Sequence, residues 1–265
     1  MRGECAVVHP VRTGDGGPAV LKLEWPHAEA EHEHLALRHW GGNGAVRLLR
    51  ADPNRFAFLL ERAEARHDLN TLPDLEACEV AARLYPLLHV PAPPHLRVLS
   101  EQATRWSREL LALPVGAPLP RRYVERAATL AGDLAADPQC DGTLIHNDLH
   151  YDNVLRSARG AGVEWLAIDP KPLSGDAHFE VAPLLWNRWD ELVATGDLRM
   201  AIRARFHTVV DTAGLDEHRA AAWVVVRQLV NAMWLLTGKA APGPHVPELD
   251  VQVTRCVTVT KAVQA

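Results

Sequence analysis

Lysine is scarce in this chain: of 28 basic residues, only Lys22, Lys171, Lys239 and Lys261 are lysines. A lysine kept in so Arg-rich a sequence is a candidate for a task that a compact ammonium performs and a planar guanidinium does not. Cysteine is scarce too. Cys5, Cys78, Cys140 and Cys256 are scattered, with no C-x-x-C pair, which excludes a zinc knuckle and a disulfide framework. The start, Met1-Arg2-Gly3-Glu4-Cys5, lacks the apolar run of a signal peptide. No uninterrupted apolar stretch reaches the roughly 18 residues of a membrane span. The expectation is a soluble, cytoplasmic chain of a reducing compartment, without a membrane partner. Basic charge is short as well: 28 basic against 33 acidic residues leave a net charge of −5. That excludes the basic footprint of a general nucleic-acid binder and suits a neutral or cationic partner better.

What is present is globular. A chain of 265 residues, 48% hydrophobic and 23% charged, can bury a substantial core, and its length corresponds to one large domain or two lobes. Valines between Cys5 and Arg12, the turn residues Thr13 to Pro18, and Ala19-Val20-Leu21-Lys22-Leu23 predict a hairpin in which Lys22 points away from Leu21 and Leu23. A helix is predicted from about His27 to Trp40, stopped by Gly41-Gly42-Asn43-Gly44. Strands are predicted at Ala45 to Leu49 and Arg55 to Leu60, around the turn at Asp52-Pro53-Asn54. After Glu61 helical patterns dominate, from Asp74 to Leu88 and Arg122 to Ala136, with a Pro-rich loop at His89 to Pro94. A strand-loop-strand-turn-strand patch follows at Thr143 to Ile145, Asn153 to Leu155 and Glu164 to Ile168. The rest reads as helix: Leu198 to Thr212, then an apolar segment from Asp216 to Thr237, capped by Asp216 and stopped by Gly238.

The chemistry concentrates in His146-Asn147-Asp148-Leu149-His150-Tyr151-Asp152-Asn153 and in Ile168-Asp169-Pro170. Two polar clusters, each beside a short apolar strand, supply a carboxylate (Asp148), an amide five positions on (Asn153) and a second carboxylate (Asp169). Phosphoryl transfer needs this set: one acceptor to orient and deprotonate the attacking hydroxyl, and hard oxygen ligands to hold Mg²⁺ on nucleotide phosphates. Competing readings are weaker. His146 and His150 flank Asp148 but lack a second His pair at a zinc spacing, and His146 is better placed to brace the loop. The His- and Glu-rich stretch His27 to His34 has no H-E-x-x-H and reads as a solvated helix face. Gly14-Asp15-Gly16-Gly17 is followed by no G-K-[ST] and is a hairpin turn. The stripe of Trp223, Val226, Leu229, Val230, Met233 and Trp234 reads as core.

HNDLHYDN with the downstream Ile168-Asp169 resembles the H-x-D-x-x-x-x-N and metal-binding Asp of protein-kinase-like folds, in the spelling of the aminoglycoside phosphotransferases. The run Trp165 to Asp176, Gly44-Ala45-Val46-Arg47-Leu48-Leu49 and Ala182-Pro183-Leu184-Leu185 look like the streptomycin 6-phosphotransferase and hydroxyurea-kinase branch. The resemblance covers nearly the whole chain. It implies an α+β, two-lobed, protein-kinase-like fold: a small β-rich nucleotide-binding lobe over residues 1–62 and a larger, mainly helical catalytic and acceptor-binding lobe over 63–265. Family members carry a strand and a phosphate-covering loop ahead of the strand that here starts near Cys5, so the first lobe is expected to lack both.

Carried over by position, Asp148 would be the catalytic base, and Asn153 and Asp169 the Mg²⁺ ligands. Lys22 would contact the α- and β-phosphates of ATP, steadied by a helix carboxylate, for which Glu31 is the choice over Glu29 and Glu33. Leu59-Leu60-Glu61-Arg62-Ala63 would be the hinge, with the Glu61 carbonyl and the Ala63 amide on adenine. For the acceptor, Asp176, Glu180, Asp190 and Glu191 cluster in sequence near Trp186 and Trp189, and would suit a cationic aminoglycoside by charge-assisted hydrogen bonds. The implied activity is ATP- and Mg²⁺-dependent phosphorylation of an aminoglycoside hydroxyl, giving antibiotic resistance. The alternatives are a kinase of hydroxyurea or another small hydroxylated molecule, and a non-catalytic nucleotide-binding protein on the same fold.

Overall fold

The computed structural model describes residues 6–27, 31–160, 162, 164–239 and 248–264. The chain packs as two compact units, Met1–Leu96 with Thr143–Leu173, and Arg97–Gly142 with Ser174–Ala265. The expected lobe boundary at residue 62 falls inside the first unit.

In the first unit, β1 (Ala6–Arg12) and β2 (Pro18–Glu24) form the expected antiparallel hairpin, with Val8 opposite Lys22. The turn is closed by Thr13 N–H to the Gly17 carbonyl, 2.9 Å. Helix α1 spans only Glu33–Trp40 and ends on Gly41, whose φ of 59° is the left-handed cap glycine adopts without strain. The predicted helix from His27 is therefore too long: Glu31 and His32 form a turn, and residues 28–30 lie outside the described residues. β3 (Leu48–Asp52) and β4 (Ala57–Glu61) complete a four-stranded sheet of order β1-β2-β4-β3. Ala45 makes a single parallel bridge with Ala167 instead of joining β3.

β5 (Glu64–Asp68) was not foreseen. Its residues are polar except Ala65 and exposed except half-buried Asp68, so alternation carries no signal. Helix α2 (Asp74–Leu88) has the predicted bounds. Beyond the second unit's helix α3 (Leu99–Leu111), which sequence reading missed, and α4 (Arg121–Ala136), the chain returns to the first unit at β6 (Thr143–Ile145). β7 (Val154–Arg156) and β8 (Trp165–Ala167) then join β5 in a three-stranded antiparallel sheet. Ala36, Leu37, Trp40, Phe58, Leu88, Leu144 and Ile145 are buried, and the Trp40 indole donates to the Leu88 carbonyl at 2.9 Å.

The strand β9 (Leu173–Gly175) leads into the second unit, followed by a 3-10 segment (Ala177–Leu185), α5 (Trp189–Ala194), α6 (Leu198–Ala213), α7 (Glu217–Thr237) and α8 (Leu249–Val263). α7 has the caps expected of it: the Asp216 carboxylate accepts from Arg219 N–H at 2.7 Å, and Gly238 adopts φ 68°. It is long and apolar enough to cross a membrane by composition, yet more than half of it is buried in the packing. Phe179 stacks on Trp106 at 5.9 Å between ring centroids and meets Trp223 edge-on at 5.2 Å, so this stripe is core.

Gly44 fixes one close approach in the first unit. It has φ 71°, its carbonyl accepts from Ala167 N–H at 2.8 Å, and a Cβ there would stand 2.8 Å from Leu87 Cβ. Gly44→Ala combines left-handed strain with overlap and should destabilise by about 2 to 3 kcal/mol. Thermal melting checks this: Tm should fall by several degrees, whereas Gly14→Ala, with open space around it, should leave Tm nearly unchanged.

Candidate active site

Alternation along β2 turns Lys22 and Glu24 inward while Leu23 between them is 41% exposed. The Lys22 ammonium meets Glu24 Oε1 at 2.7 Å, Glu33 Oε2 at 2.5 Å, and Asp169 Oδ1. Glu33, in the first turn of α1, is fully buried. It replaces Glu31 as the helix partner of Lys22. Because α1 starts at Glu33, Glu31 sits in the preceding turn, exposed to solvent; Glu29 lies outside the described residues. Burial alone would depress the Lys22 pKa, but Glu33, Asp169 and Glu24 together raise it above the ordinary lysine value. Burial raises the Glu33 carboxyl in turn.

A second lysine joins the cluster. Lys171 Nζ lies 2.9 Å from Asp169 Oδ1 and 3.9 Å from Glu24 Oε1. Burial works to raise the Asp169 carboxyl, and the ammoniums of Lys22 and Lys171 outweigh it, holding Asp169 at about 2. Neither Glu24 nor Lys171 was singled out as a site residue. Glu24 is two positions from Lys22, hence on its face of the strand, and Lys171 is one of only four lysines. Those were the available signals.

The loop of Asp148 is braced from behind. His146, fully buried, takes the Asp148 N–H on Nδ1 at 3.3 Å, so its Nε2 carries the proton it gives to the Ile168 carbonyl at 2.9 Å. Its ring stacks on Trp40 with centroids 6.2 Å apart. This is the bracing role expected of it. Asn153 Nδ2 donates to the Asp148 carbonyl at 2.9 Å, which leaves its amide oxygen for another partner, and the Asn153 carbonyl accepts Ile168 N–H at 2.9 Å. Backbone hydrogen bonding thus sets Asn153 beside the segment bearing Asp169. The Asp148 side chain is 30% exposed, with Oδ2 4.0 Å from His150 Nε2. Burial opposes charge on His150, but Asp152, Asp148 and Asp169 prevail and raise its pKa. Asn147 and Asp169 both adopt positive φ, 65° and 56°.

The donor chemistry fits Mg²⁺. Asn153 offers an amide oxygen and Asp169 a carboxylate that stays ionised, both hard ligands. One oxygen from each of Glu24, Glu33 and Asp169 lies within 4.8 Å of the others, and the ammoniums of Lys22 and Lys171 sit in that carboxylate cluster.

At the expected hinge, Glu61 ends β4 and Ala63 leads to β5. The Glu61 side chain accepts from Arg159 Nε at 2.6 Å and from Arg47 N–H at 2.9 Å, and Arg159 also donates to the carbonyls of Gly42 and Ala45. Burial pushes the Glu61 carboxyl up, and the Arg159 and Arg47 hydrogen bonds overcome it, leaving the group below its ordinary value. Arg159 lies in a Gly-rich turn with no periodicity to mark it.

The four acidic residues expected at the acceptor do not share one face. Asp176 is buried and saturated: it accepts from Arg219 Nε at 2.5 Å, the Trp223 indole at 2.7 Å and His178 N–H at 3.0 Å. Glu180 is fully buried in the 3-10 segment. Their expected acceptor role is corrected to an interior one, because groups so enclosed offer no surface to a solute. Asp190 and Glu191 are exposed on α5, 3.9 Å from Arg255 and 3.6 Å from Arg188 respectively.

The sheet-plus-helix fold and the paired Asp148 and Asp169 loops define the protein-kinase-like class. The chain belongs to the aminoglycoside/hydroxyurea antibiotic resistance kinase family, whose pattern it matches over residues 1–238. It is 40% identical over 247 residues to a streptomycin 6-kinase of Streptomyces glaucescens, covering 91% of this chain and 79% of that one. It is 38% identical over 263 residues to a hydroxyurea phosphotransferase of Kitasatospora aureofaciens, covering 96% and 72%. A thermostable mutant of aminoglycoside phosphotransferase APH(4)-Ia, solved in ternary complex with ADP and hygromycin B, shares the fold with a TM-score of 0.61 at 15% identity, over 100% of this chain and 93% of that one.

Two outcomes test this geometry. Glu33→Gln should weaken nucleotide binding about tenfold, because Lys22 loses a buried partner, while Glu31→Gln should change it less than about twofold. Isothermal titration with Mg-ADP decides between the two glutamates. Asp176 is the second case. Burial would raise its carboxyl, and His178 and Trp223 outweigh that, so its folded pKa is the lower one. Its stabilisation is complete above the unfolded value of about 3.9 and is lost as pH falls through the folded value. Asp176→Asn should lower Tm by several degrees at pH 7, and the gap from wild type should narrow below about pH 4.

Proposed function

We propose that this chain transfers the γ-phosphoryl group of ATP, with Mg²⁺, to a hydroxyl of a streptomycin-type aminoglycoside, in the cytoplasm where ATP is available, and so confers resistance. The observation that carries the reading is the frame in which Lys22, Asp148, Asn153 and Asp169 are joined through Ile168 and a buried ion cluster. Asp148 orients the acceptor hydroxyl and takes its proton. The acceptor oxygen bonds to the γ-phosphorus, the bond to the β-phosphate bridging oxygen breaks, and ADP leaves. Asn153 and Asp169 would hold the metal, which when bound neutralises phosphate charge. Lys22, kept charged by its carboxylates, lies against the α- and β-phosphates. The hinge contacts are main-chain ones, from the Glu61 carbonyl and the Ala63 amide to adenine. Positioning and electrostatics then account for the rate, without a covalent intermediate.

The streptomycin 6-kinases at 40% identity favour streptomycin as the acceptor. The hydroxyurea phosphotransferase at 38% gives a second reading, hydroxyurea, whose phosphorylation would call on the same catalytic residues. Of the acidic residues expected at the acceptor, Asp190 and Glu191 retain the exposure to meet a cation. ADP release measured with streptomycin, a 2-deoxystreptamine drug, hydroxyurea and no acceptor separates the readings, and silence across the panel with nucleotide still bound would indicate a different acceptor or a non-catalytic binder. Asp148→Ala should lower turnover by about a thousandfold or more while Mg-ADP affinity stays within about threefold. Turnover surviving within a few-fold would remove Asp148 from the role of base.

A further inference from the structure

Lys171 has no part in the mechanism above, yet it stands in the same ion cluster. Its side chain is 11% exposed, and its ammonium shares a single carboxylate oxygen, Asp169 Oδ1, with Lys22. The two lysines are held differently. Lys22 is gripped by Glu24 and Glu33 as well, so it keeps close partners when Asp169 turns to another ligand. Among the described residues, the carboxylates within 4 Å of the Lys171 ammonium are Asp169 at 2.9 Å and Glu24 at 3.9 Å.

The backbone of Lys171 is fixed to the loop of the expected base. Its N–H donates to the His146 carbonyl at 2.9 Å, and its carbonyl accepts from Asn147 Nδ2 at 3.0 Å, on the two residues preceding Asp148. Pro170 and Pro172 flank it and restrict its backbone. A flexible four-carbon stem thus leaves a rigid base beside Asp148 and places a compact positive charge at the metal carboxylate. If Asp169 held a divalent cation, the Lys171 ammonium would lose that carboxylate and would need another anion nearby. The phosphoryl group in transfer, with charge spread over its equatorial oxygens, is such an anion.

We propose that Lys171 is a second phosphate ligand: its ammonium exchanges the Asp169 carboxylate for an oxygen of the γ-phosphoryl group, while Lys22 serves the α- and β-phosphates. The proposal rests on the kinase reading above and assigns a catalytic residue to it. It accounts for a lysine retained between two prolines in an Arg-rich chain, and for two cations converging on one carboxylate oxygen.

The test is equilibrium binding, by isothermal titration with Mg²⁺ present, of ADP and of the non-hydrolysable ATP analogue AMP-PNP to the wild-type chain, Lys171→Gln, Lys171→Arg and Lys22→Gln. Lys171→Gln should bind AMP-PNP about tenfold or more weakly while ADP affinity stays within about twofold. Lys22→Gln should lose affinity for both. Lys171→Arg, which keeps the charge, should recover part of the AMP-PNP affinity and provides the measurement if the Gln variant does not fold. Equal loss of ADP and AMP-PNP in the Lys171 variants would overturn the proposal, showing a brace for Asp169 only, and unchanged affinity for both would overturn it too. A wild-type chain that binds neither nucleotide defeats the kinase reading and this proposal together. One that shows the differential binding without streptomycin turnover defeats only the choice of acceptor, and supports Lys171.

Discussion

Lys22 gathers its three carboxylates from three separate stretches of chain: Glu24 on its own strand, Glu33 in the first turn of α1, and Asp169 after β8. A lysine only 4% exposed cannot remain charged without such partners, and its ammonium offsets part of the cost of burying the carboxylates around it. The hairpin, the start of α1 and the loop of Asp169 are therefore fixed relative to one another by mutual need. From Asp169 the constraint passes to Lys171, from there by backbone hydrogen bonds to His146 and Asn147, and from Asn153 to Asp148. Lys22, Asp148, Asn153 and Asp169 all lie on this one circuit.

The second unit solves the same problem with the signs exchanged. Here a buried carboxylate, Asp176, is surrounded by donors: Arg219, the Trp223 indole and His178. Arg219 is shared with Asp137 at 2.6 Å, so the turn before β6, the 3-10 segment and α7 are joined through one guanidinium. The planar fork of arginine suits this two-carboxylate bridge, whereas the point charge of lysine suits the convergence at Lys22.

Where the sequence was legible, a strong local pattern agreed with the packing. α2 and α7 carry period-3.6 apolar residues and clear ends, and their predicted extents match. The convergence of Asp148, Asn153 and the Asp169 segment was legible because each lies beside a short strand, and hydrogen bonds bring the segments together. What escaped was set by tertiary contact. β5 is polar but for Ala65 and almost wholly exposed, so only its pairing with β7 makes it a strand. α3 buries Leu99, Ala103, Trp106 and Leu110 at helical spacing, a pattern overlooked beside the Pro-rich loop. A helix drawn from His27 favours Glu31, nine residues before Trp40, and puts Glu33 on a different face; because α1 begins at Glu33, Glu33 is the residue that meets Lys22. Asp176 and Glu180 looked like an acidic surface in sequence, where burial cannot be read from residue type.

The left-handed backbone of Asn147 and Asp169 has a consequence for how such a chain tolerates change. A non-glycine residue held there stores about 1 to 2 kcal/mol of strain. Glycine would relax both positions, at the loss of the Asn147 side-chain bond to Lys171 and of the Asp169 carboxylate. At Asp169 that relief is smaller than the cost of leaving two buried ammoniums without their shared carboxylate, so the fold and the site select the same residue there, and a library sorted for heat resistance alone would keep it.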